Sequence, residues 1–450
     1  MTRTRVAVVG GGLAGVTAAL RCADAGCEVT LLESRPWLGG LTYSFRRGDL
    51  WVDNGQHVFL RCCTRYLALL ERLGVSGLVT LQPRLDVPVR SAGTGATSRL
   101  RRNGLPAPLH LGGSLARFQL LSPRDRLGVV RAALALRSVD PSDARTDEQS
   151  FGAWLAAHRQ SPRSIEALWD LIGVAALNAR SDEASLALAA TVFQQGLLDR
   201  ADAGDIGWPR VPLGRLHGTA MAEALAAAGV TVHSRTRVHG LQASPGAWLL
   251  AAGPEQVVAD AVVLAVPPST AEALMPAGAV ALPRGWSDRL GSAPIVNLHV
   301  RYDRKVLDEP FLAAVDSPLQ WVFDRTDPAG LREGQYLAVS LSAAADLVDT
   351  RTTELRDRLL PALTQLLPSA RAAHVEEVFV TRERNATFSP APGSGRLRPP
   401  QLTYAPGLYL AGAWTATGWP ATMEGAVRSG EAAAAALLSP DAAGRRAVAA

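Results

Sequence analysis

Residues 5–33 run through a short apolar segment, a glycine turn, a helix-forming segment and a second apolar segment that ends in an acid. Arg5 to Val9 predicts a strand and Gly10-Gly11-Gly12-Leu13-Ala14-Gly15 a turn. A helix is expected from about Leu13 to Ala25, and Val29 to Leu32 predicts a second strand leading into Glu33. Gly10 permits a tight turn, Gly12 removes the Cβ that would hold a pyrophosphate away, and Gly15 lets the helix sit close on the strand. The amides of Leu13 and Ala14, at the positive end of the helix dipole, then face phosphate. Ala19 and Gly26 are small where helix and sheet meet. Glu33 stands where a carboxylate accepts hydrogen bonds from ribose 2′ and 3′ hydroxyls and repels a 2′-phosphate. The order predicts an α/β domain that holds an adenine dinucleotide.

The segment after Glu33 separates flavin from nicotinamide. A nicotinamide domain proceeds to its next helix, whereas here Ser34-Arg35-Pro36-Trp37-Leu38 leads to Gly39-Gly40-Leu41-Thr42. A glycine pair brings backbone past a cofactor a second time, with Arg35 placed to neutralise phosphate. Next comes a polar strand edge, Asp53-Asn54-Gly55-Gln56-His57-Val58-Phe59. Near the other end, Leu408-Tyr409-Leu410-Ala411-Gly412 predicts a strand ending in glycine, then Ala413, a loop through Trp419 and Pro420, and a helix from about Met423 to Leu438. Val230 to Val238 and Asp260 to Pro267 predict strands that return to the first domain.

Composition narrows the partners. With 450 residues, 48% of them apolar, the chain is expected to form two or three lobes. The net charge of +5 is carried by scattered arginines, with Lys305 the only lysine, which argues against nucleic acid. Cys22, Cys27, Cys62 and Cys63 show no metal spacing, no HExxH motif occurs, and reduced thiols in a cytoplasmic setting are expected. No apolar run reaches the ~18 residues of a membrane span, and the basic start Met1 to Arg5 leads into a strand rather than a signal peptide. Leu105 to Leu136 alternates leucines with Arg117, Arg124, Arg126 and Arg131. That pattern suits helices packing on their own domain and also an amphipathic access route at the inner face of a membrane. Trp154, Trp169, Phe193 and Trp208 are candidates for core or for the walls of a lipid tunnel.

The dinucleotide turn, the acid followed by Gly-Gly, the Asp-x-Gly-x-His segment and the closing strand–loop–helix resemble the flavin-dependent amine oxidase and phytoene desaturase superfamily. The resemblance implies an FAD-binding Rossmann-like (GR2-type) domain from residues 1–80, 205–270 and 375–450, with a discontinuous mixed α+β substrate domain from 81–204 and 271–374. It also places Gly412, Ala413, Trp419 and Met423 at the isoalloxazine and ribityl end and Val238 at adenine. Within the superfamily, Asp53 to Phe59, Cys62 to Leu67, Leu177-Asn178-Ala179-Arg180, Ser185-Leu186-Ala187 and Gly418 to Ala426 resemble the squalene-associated hydroxysqualene dehydroxylases. That branch implies reductive removal of an allylic hydroxyl, with a hydride from reduced FAD giving squalene for hopanoid synthesis. His57 is then the candidate acid for the departing hydroxyl, while Asn54 and Gln56 orient groups. Two alternatives stand beside this: a phytoene-desaturase-like or amine-oxidase-like flavoprotein that oxidises a hydrophobic substrate, and a non-catalytic lipid-binding flavoprotein. Leu41 replaces an arginine and Ala413 an acid found in many relatives, so FAD is expected to be non-covalent and weakly held. A single dinucleotide turn implies that electrons come from a separate donor or reductase.

Overall fold

The computed structural model describes residues 3–253 and 255–440; the start at Met1 and the last part of segment 375–450 lie outside the described residues. Strand Arg5–Val9, helix Leu13–Asp24 and strand Glu28–Leu32 form where the sequence predicts them. The chain returns to this unit three times. The resulting all-parallel sheet runs in the order Thr231–His233, Glu28–Leu32, Arg5–Val9, Ala261–Leu264, Leu408–Leu410.

Because side chains alternate along a strand, Val6 and Val8 enter one core while Ala7 and Val9 enter another. A parallel sheet needs both faces covered. Helices Leu13–Asp24 and Met423–Leu438 cover the first face. An antiparallel sheet of Val238–Ser244, Ala247–Ala252 and Glu255–Ala259 covers the second through Trp248, Leu250 and Ala252. The single strand expected over 230–238 is therefore two. Thr231–His233 ends in the parallel sheet, and the chain turns at Arg235, with φ of 57°, before Val238 opens the antiparallel one. Hydrogen bonds from the Arg235 and Thr236 amides to the Arg35 and Glu33 carbonyls hold that turn.

A seven-stranded sheet forms the second layer, in the order Val375–Phe388, Ser292–Tyr302, Gln335–Leu341, Trp321–Asp324, Phe311–Val315, Asp86–Ser91, Thr97–Arg101. Val375–Phe388 groups by sequence position with the cofactor-binding segment, yet it pairs along its length with Ser292–Tyr302, whose edge it covers. On one face Val296, Leu298 and Val300 bury against Leu355, Leu359 and Leu363 of helix Thr352–Leu366. Ile295 and Asn297, of opposite parity, turn toward a helical layer. That layer contains Pro123–Leu136, Phe151–Ala157 and two longer helical runs at 162–177 and 186–198, each passing through a wider π-type turn. The stretch 105–136 is thus three pieces, Leu109–Leu111, Gly112–Ala116 and Pro123–Leu136, the last started by Ser122, whose Oγ accepts from the Asp125 amide at 3.2 Å. Among the described residues no helix is long and apolar enough to cross a membrane.

The last helix lies directly on the first. A Cβ added to Gly430 would sit 2.2 Å from the Ala14 carbonyl oxygen and 2.9 Å from the Thr17 Cβ. We predict that Gly430→Ala costs about 1–3 kcal/mol by overpacking, read from the urea midpoint. Gly173→Ala, where nothing lies within 4 Å of the added carbon, serves as a control and leaves the midpoint unchanged or raises it.

Candidate functional site

One cavity of about 1470 Å³ joins the edge of the parallel sheet to the helical layer. Ordinary small-molecule sites span roughly 300–1,000 Å³, so this one has room for a cofactor and a second ligand. Of the residues singled out by sequence, Gly10, Gly12, Leu13, Ala14, Glu33, Ser34, Arg35, Gly39, Gly40, Leu41, Thr42, His57, Val238, Gly412, Ala413, Trp419 and Met423 all line it. Gly15 does not. Its added Cβ would meet the Gly10 carbonyl oxygen at 1.9 Å, so Gly15 serves helix-on-strand packing and is removed from the cofactor-facing set.

The two glycine loops touch each other. The Gly39 amide donates to the Gly11 carbonyl at 2.8 Å, and a Cβ on Gly40 would stand 2.9 Å from the Gly12 Cα. Both residues of the pair have positive φ, 105° and 59°, which glycine adopts without strain. The buried Glu33 carboxylate accepts from the Gly11 amide at 2.7 Å and the Arg35 amide at 2.7 Å. The Ser34 hydroxyl donates to it as well, at 3.1 Å, so of a carboxylate's roughly four acceptor sites about one is left for a ligand's hydroxyl. Gly11, given no role by the motif, is the donor that orients this acid. Arg35 stays exposed, donating to the Gly40 carbonyl at 3.2 Å with its guanidinium 5.5 Å from the Tyr43 ring centre. Leu41 brings an apolar, 42% exposed side chain to the cavity wall.

At the opposite wall the final helix starts at Met423, capped by Thr422, whose Oγ1 accepts from the Gly425 amide at 3.1 Å. Glu424, fully buried, accepts from the Tyr66 amide at 2.8 Å and from Arg428 at 2.7 Å. It thereby ties the start of helix Thr64–Arg72 to the closing helix. Trp414 packs edge-on to Gly412, where an added Cβ would lie 2.3 Å from its Nε1, and donates to the Val266 carbonyl at 3.0 Å. Behind this loop lies Arg398, a buried guanidinium that no sequence motif marks. Of the four aromatic candidates, Trp169 and Phe193 line the cavity. Trp154 stacks on His158 and Trp208 packs against Phe311.

His57 lies on a segment anchored by a buried ion pair. Asp53 accepts from Arg325 at 2.8 Å, from Ser44 Oγ at 2.6 Å and from the Leu213 amide at 2.9 Å. Asn54 binds back to the Leu41 carbonyl at 2.8 Å, so this segment also braces the glycine pair. The His57 Nδ1 lies 3.0 Å from the Gly55 carbonyl, which makes Nδ1 the protonated nitrogen and leaves Nε2 without a hydrogen-bond partner among the described residues. Burial pushes the ring's pKa below its ordinary value, although the Gly55 contact and Asp53 act in the other direction. The downward shift favours the neutral ring, which with Nδ1 protonated offers Nε2 as a proton acceptor; a role as acid asks that the ring first be charged against its burial.

Burial acts on two further rings in the same direction. Burial pushes His217, at 2.9 Å from the Tyr66 hydroxyl, and His299, between Tyr336 and Thr381, down to about 3. The unfolded chain protonates such rings near 6.5 while the folded protein keeps them neutral, so their stabilising contribution is full above pH 6.5 and falls as pH drops toward 3. Each ring adds a slope of about 1.4 kcal/mol per pH unit in that window. We predict that His299→Gln flattens the fall of the urea midpoint between pH 6 and 4 by about one proton's worth.

The glycine cradle, the buried acid with a spare acceptor site and the helix start facing one continuous cavity fit an adenine dinucleotide joined to a ring system. A family model described as flavin containing amine oxidoreductase matches residues 13–438. The chain is 29% identical over 446 residues to a hydroxysqualene dehydroxylase of Rhodopseudomonas palustris, covering 98% of this chain and 99% of the relative. It is 26% identical over 493 residues to a zeta-carotene desaturase of Synechocystis, covering 97% of each. In fold it is similar to an oxidoreductase from Methanosarcina mazei, with a TM-score of 0.74, 17% identity and coverage of 95% of this chain and 99% of that one. The chain has an α/β fold related to that of the amine oxidases and belongs to the flavin-containing amine oxidoreductase family, as an FAD-dependent oxidoreductase.

Proposed function

We propose that this oxidoreductase binds FAD non-covalently along the glycine loops and the closing helix and acts on a long-chain isoprenoid held in the rest of the cavity. The observation that carries this reading is the apolar arm of the cavity, walled by Leu115, Val129, Leu168, Ile172, Phe193 and Leu198. Such walls recognise a ligand by area and shape, at about 0.8 kcal/mol per buried methylene. Full-length likeness to enzymes named for hydroxysqualene and for zeta-carotene supports the same substrate class. On this reading Glu33 holds the ribose, Gly10, Gly12, Leu13 and Ala14 pass the pyrophosphate, Ser34, Arg35, Gly39, Gly40, Leu41 and Thr42 cover it, and Val238 meets adenine. Gly412, Ala413, Trp419 and Met423 face the ring end. When bound, FAD supplies the group that takes or gives a hydride.

Two reactions compete within that class. Reductive removal of the hydroxyl of hydroxysqualene is supported by the 29% likeness along the whole chain. Desaturase-like oxidation is favoured by the chemistry of His57, whose neutral ring with a free Nε2 is ready to take the proton released when a hydride leaves an adjacent carbon. Reduction requires the opposite, that His57 first be charged against its burial or that another group deliver the proton.

Leu109, Val130 and Leu134 line the cavity and are 61%, 40% and 49% exposed, so it opens through apolar surface. Exposed Arg124 and Arg131 lie on the same helix. Peripheral contact with an anionic membrane at this mouth, with a separate electron donor, completes the proposal.

Anaerobically reduced holoenzyme given hydroxysqualene, and oxidised holoenzyme given phytoene, test the two directions by product mass. Squalene selects the first and a desaturated carotene the second; neither product, with flavin bound and no spectral change on adding either lipid, overturns the isoprenoid reading. His57→Gln is expected to lower kcat by about 100-fold or more with FAD content unchanged. Flotation with anionic vesicles is expected for the wild type and to be reduced in the triple variant Leu127→Ser, Val130→Ser, Leu134→Ser; equal flotation of both would remove the membrane contact.

A further inference from the structure

We infer that Arg398 is a positioning residue that shapes the cavity wall between Gly412 and Trp419 and makes it electropositive, so that the site prefers the electron-rich, reduced flavin. The guanidinium is 6% exposed and reaches only neutral acceptors. Its Nε donates to the Trp414 carbonyl at 3.3 Å, and the two hydrogens of one Nη are shared among the carbonyls of Thr415 at 2.6 Å, Trp419 at 2.7 Å and Ala413 at 3.1 Å and the Thr417 hydroxyl at 3.2 Å. Its carbon lies 4.6 Å from the Phe388 ring centre. All five acceptors belong to the loop between strand Leu408–Leu410 and the closing helix, and Ala413, Trp414 and Trp419 line the cavity. The charge therefore sits one peptide behind the wall.

No carboxylate among the described residues lies within ion-pair distance of it. Asp147, the acid whose field reaches it, is occupied by Ser185 Oγ and the Gly395 amide. Ala413, whose carbonyl Arg398 binds, brings no acid either. Burial pulls the guanidinium down to about 10, so it stays charged at neutral pH. A buried cation without an ion-pair partner is costly, and here the loop's carbonyl dipoles, with Asp147 acting at longer range, offset that cost. Here the field points across one peptide layer into the cavity, where two-electron reduction of a bound flavin would add negative charge. A lysine presents a point charge and cannot reproduce the planar fork that Nε and Nη present to this loop, so shape and charge are separable by substitution.

This inference rests on the FAD-binding reading, and the experiment separates the two. Apo wild type, Arg398→Lys, Arg398→Met and Arg398→Gln are titrated with oxidised and with photoreduced FAD, monitored by flavin fluorescence and absorbance. Arg398→Met is expected to bind oxidised FAD more weakly and reduced FAD a further tenfold more weakly, a drop of about 30 mV in the two-electron midpoint. Arg398→Lys weakens both forms about equally and keeps the wild-type midpoint. Arg398→Gln keeps an amide donor without the charge and lowers the midpoint in the same direction as Arg398→Met, which keeps the test decisive should Arg398→Met not fold. A midpoint unchanged in both charge-altering variants, or lowered in Arg398→Lys, overturns the inference. Failure of the wild type to bind FAD would instead overturn the cofactor reading itself.

Discussion

The closeness of the first and last helices governs the rest of the molecule. Gly430 lets the closing helix reach the Ala14 carbonyl, and only at that distance do the glycine turn after Arg5–Val9 and the helix start at Met423 line the same cavity. Glu424 extends the constraint by accepting from the start of helix Thr64–Arg72. A chain whose ends are more than 400 residues apart thus closes one site through carbonyl-to-glycine contact. Such contacts have no tolerance for an added methyl, since the facing atoms are backbone and cannot rotate away.

The second layer completes the cavity by a division of labour between strand faces. In Ser292–Tyr302 the apolar residues of one parity meet the helix Thr352–Leu366, while Ile295 and Asn297 of the other parity reach the cavity. The helical layer then contributes leucines and aromatics that leave the cavity greasy away from the glycine loops. Polar groups concentrate where the layers join, around Asn54, His57 and Asn297, and the Asp53–Arg325 pair holds that junction from below. Removing either partner would strand the other charge in the interior, a cost of about 3–5 kcal/mol.

Legibility tracks the range of the interactions. The opening strand–turn–helix–strand is readable because its glycines, its apolar alternation and its acid are local. The closing helix is equally readable, from Met423 to Leu438. Gly15 is readable for the same reason, since the motif gives it close helix-on-strand packing and its contact with the Gly10 carbonyl is local. The strand at Val375–Phe388 is assigned by neighbourhood along the chain, yet its pairing lies some eighty residues upstream, and nothing in its own residues names the partner. The turn at Arg235 escapes because a non-glycine at positive φ leaves no compositional mark.

Arg398 shows why the least legible residues can matter most. An arginine between apolar residues and prolines, as in Leu397-Arg398-Pro399-Pro400, reads as an exposed loop. What buries it is a fan of acceptors 15 to 21 residues downstream, four of them main-chain carbonyls that carry no side-chain signature. Ala413 stands out in the sequence for the acid it lacks, and that absence predicts a loss of affinity. Beside a buried guanidinium the same absence has the opposite electrostatic sense, because a carboxylate there would cancel the positive field that the loop otherwise delivers to the cavity.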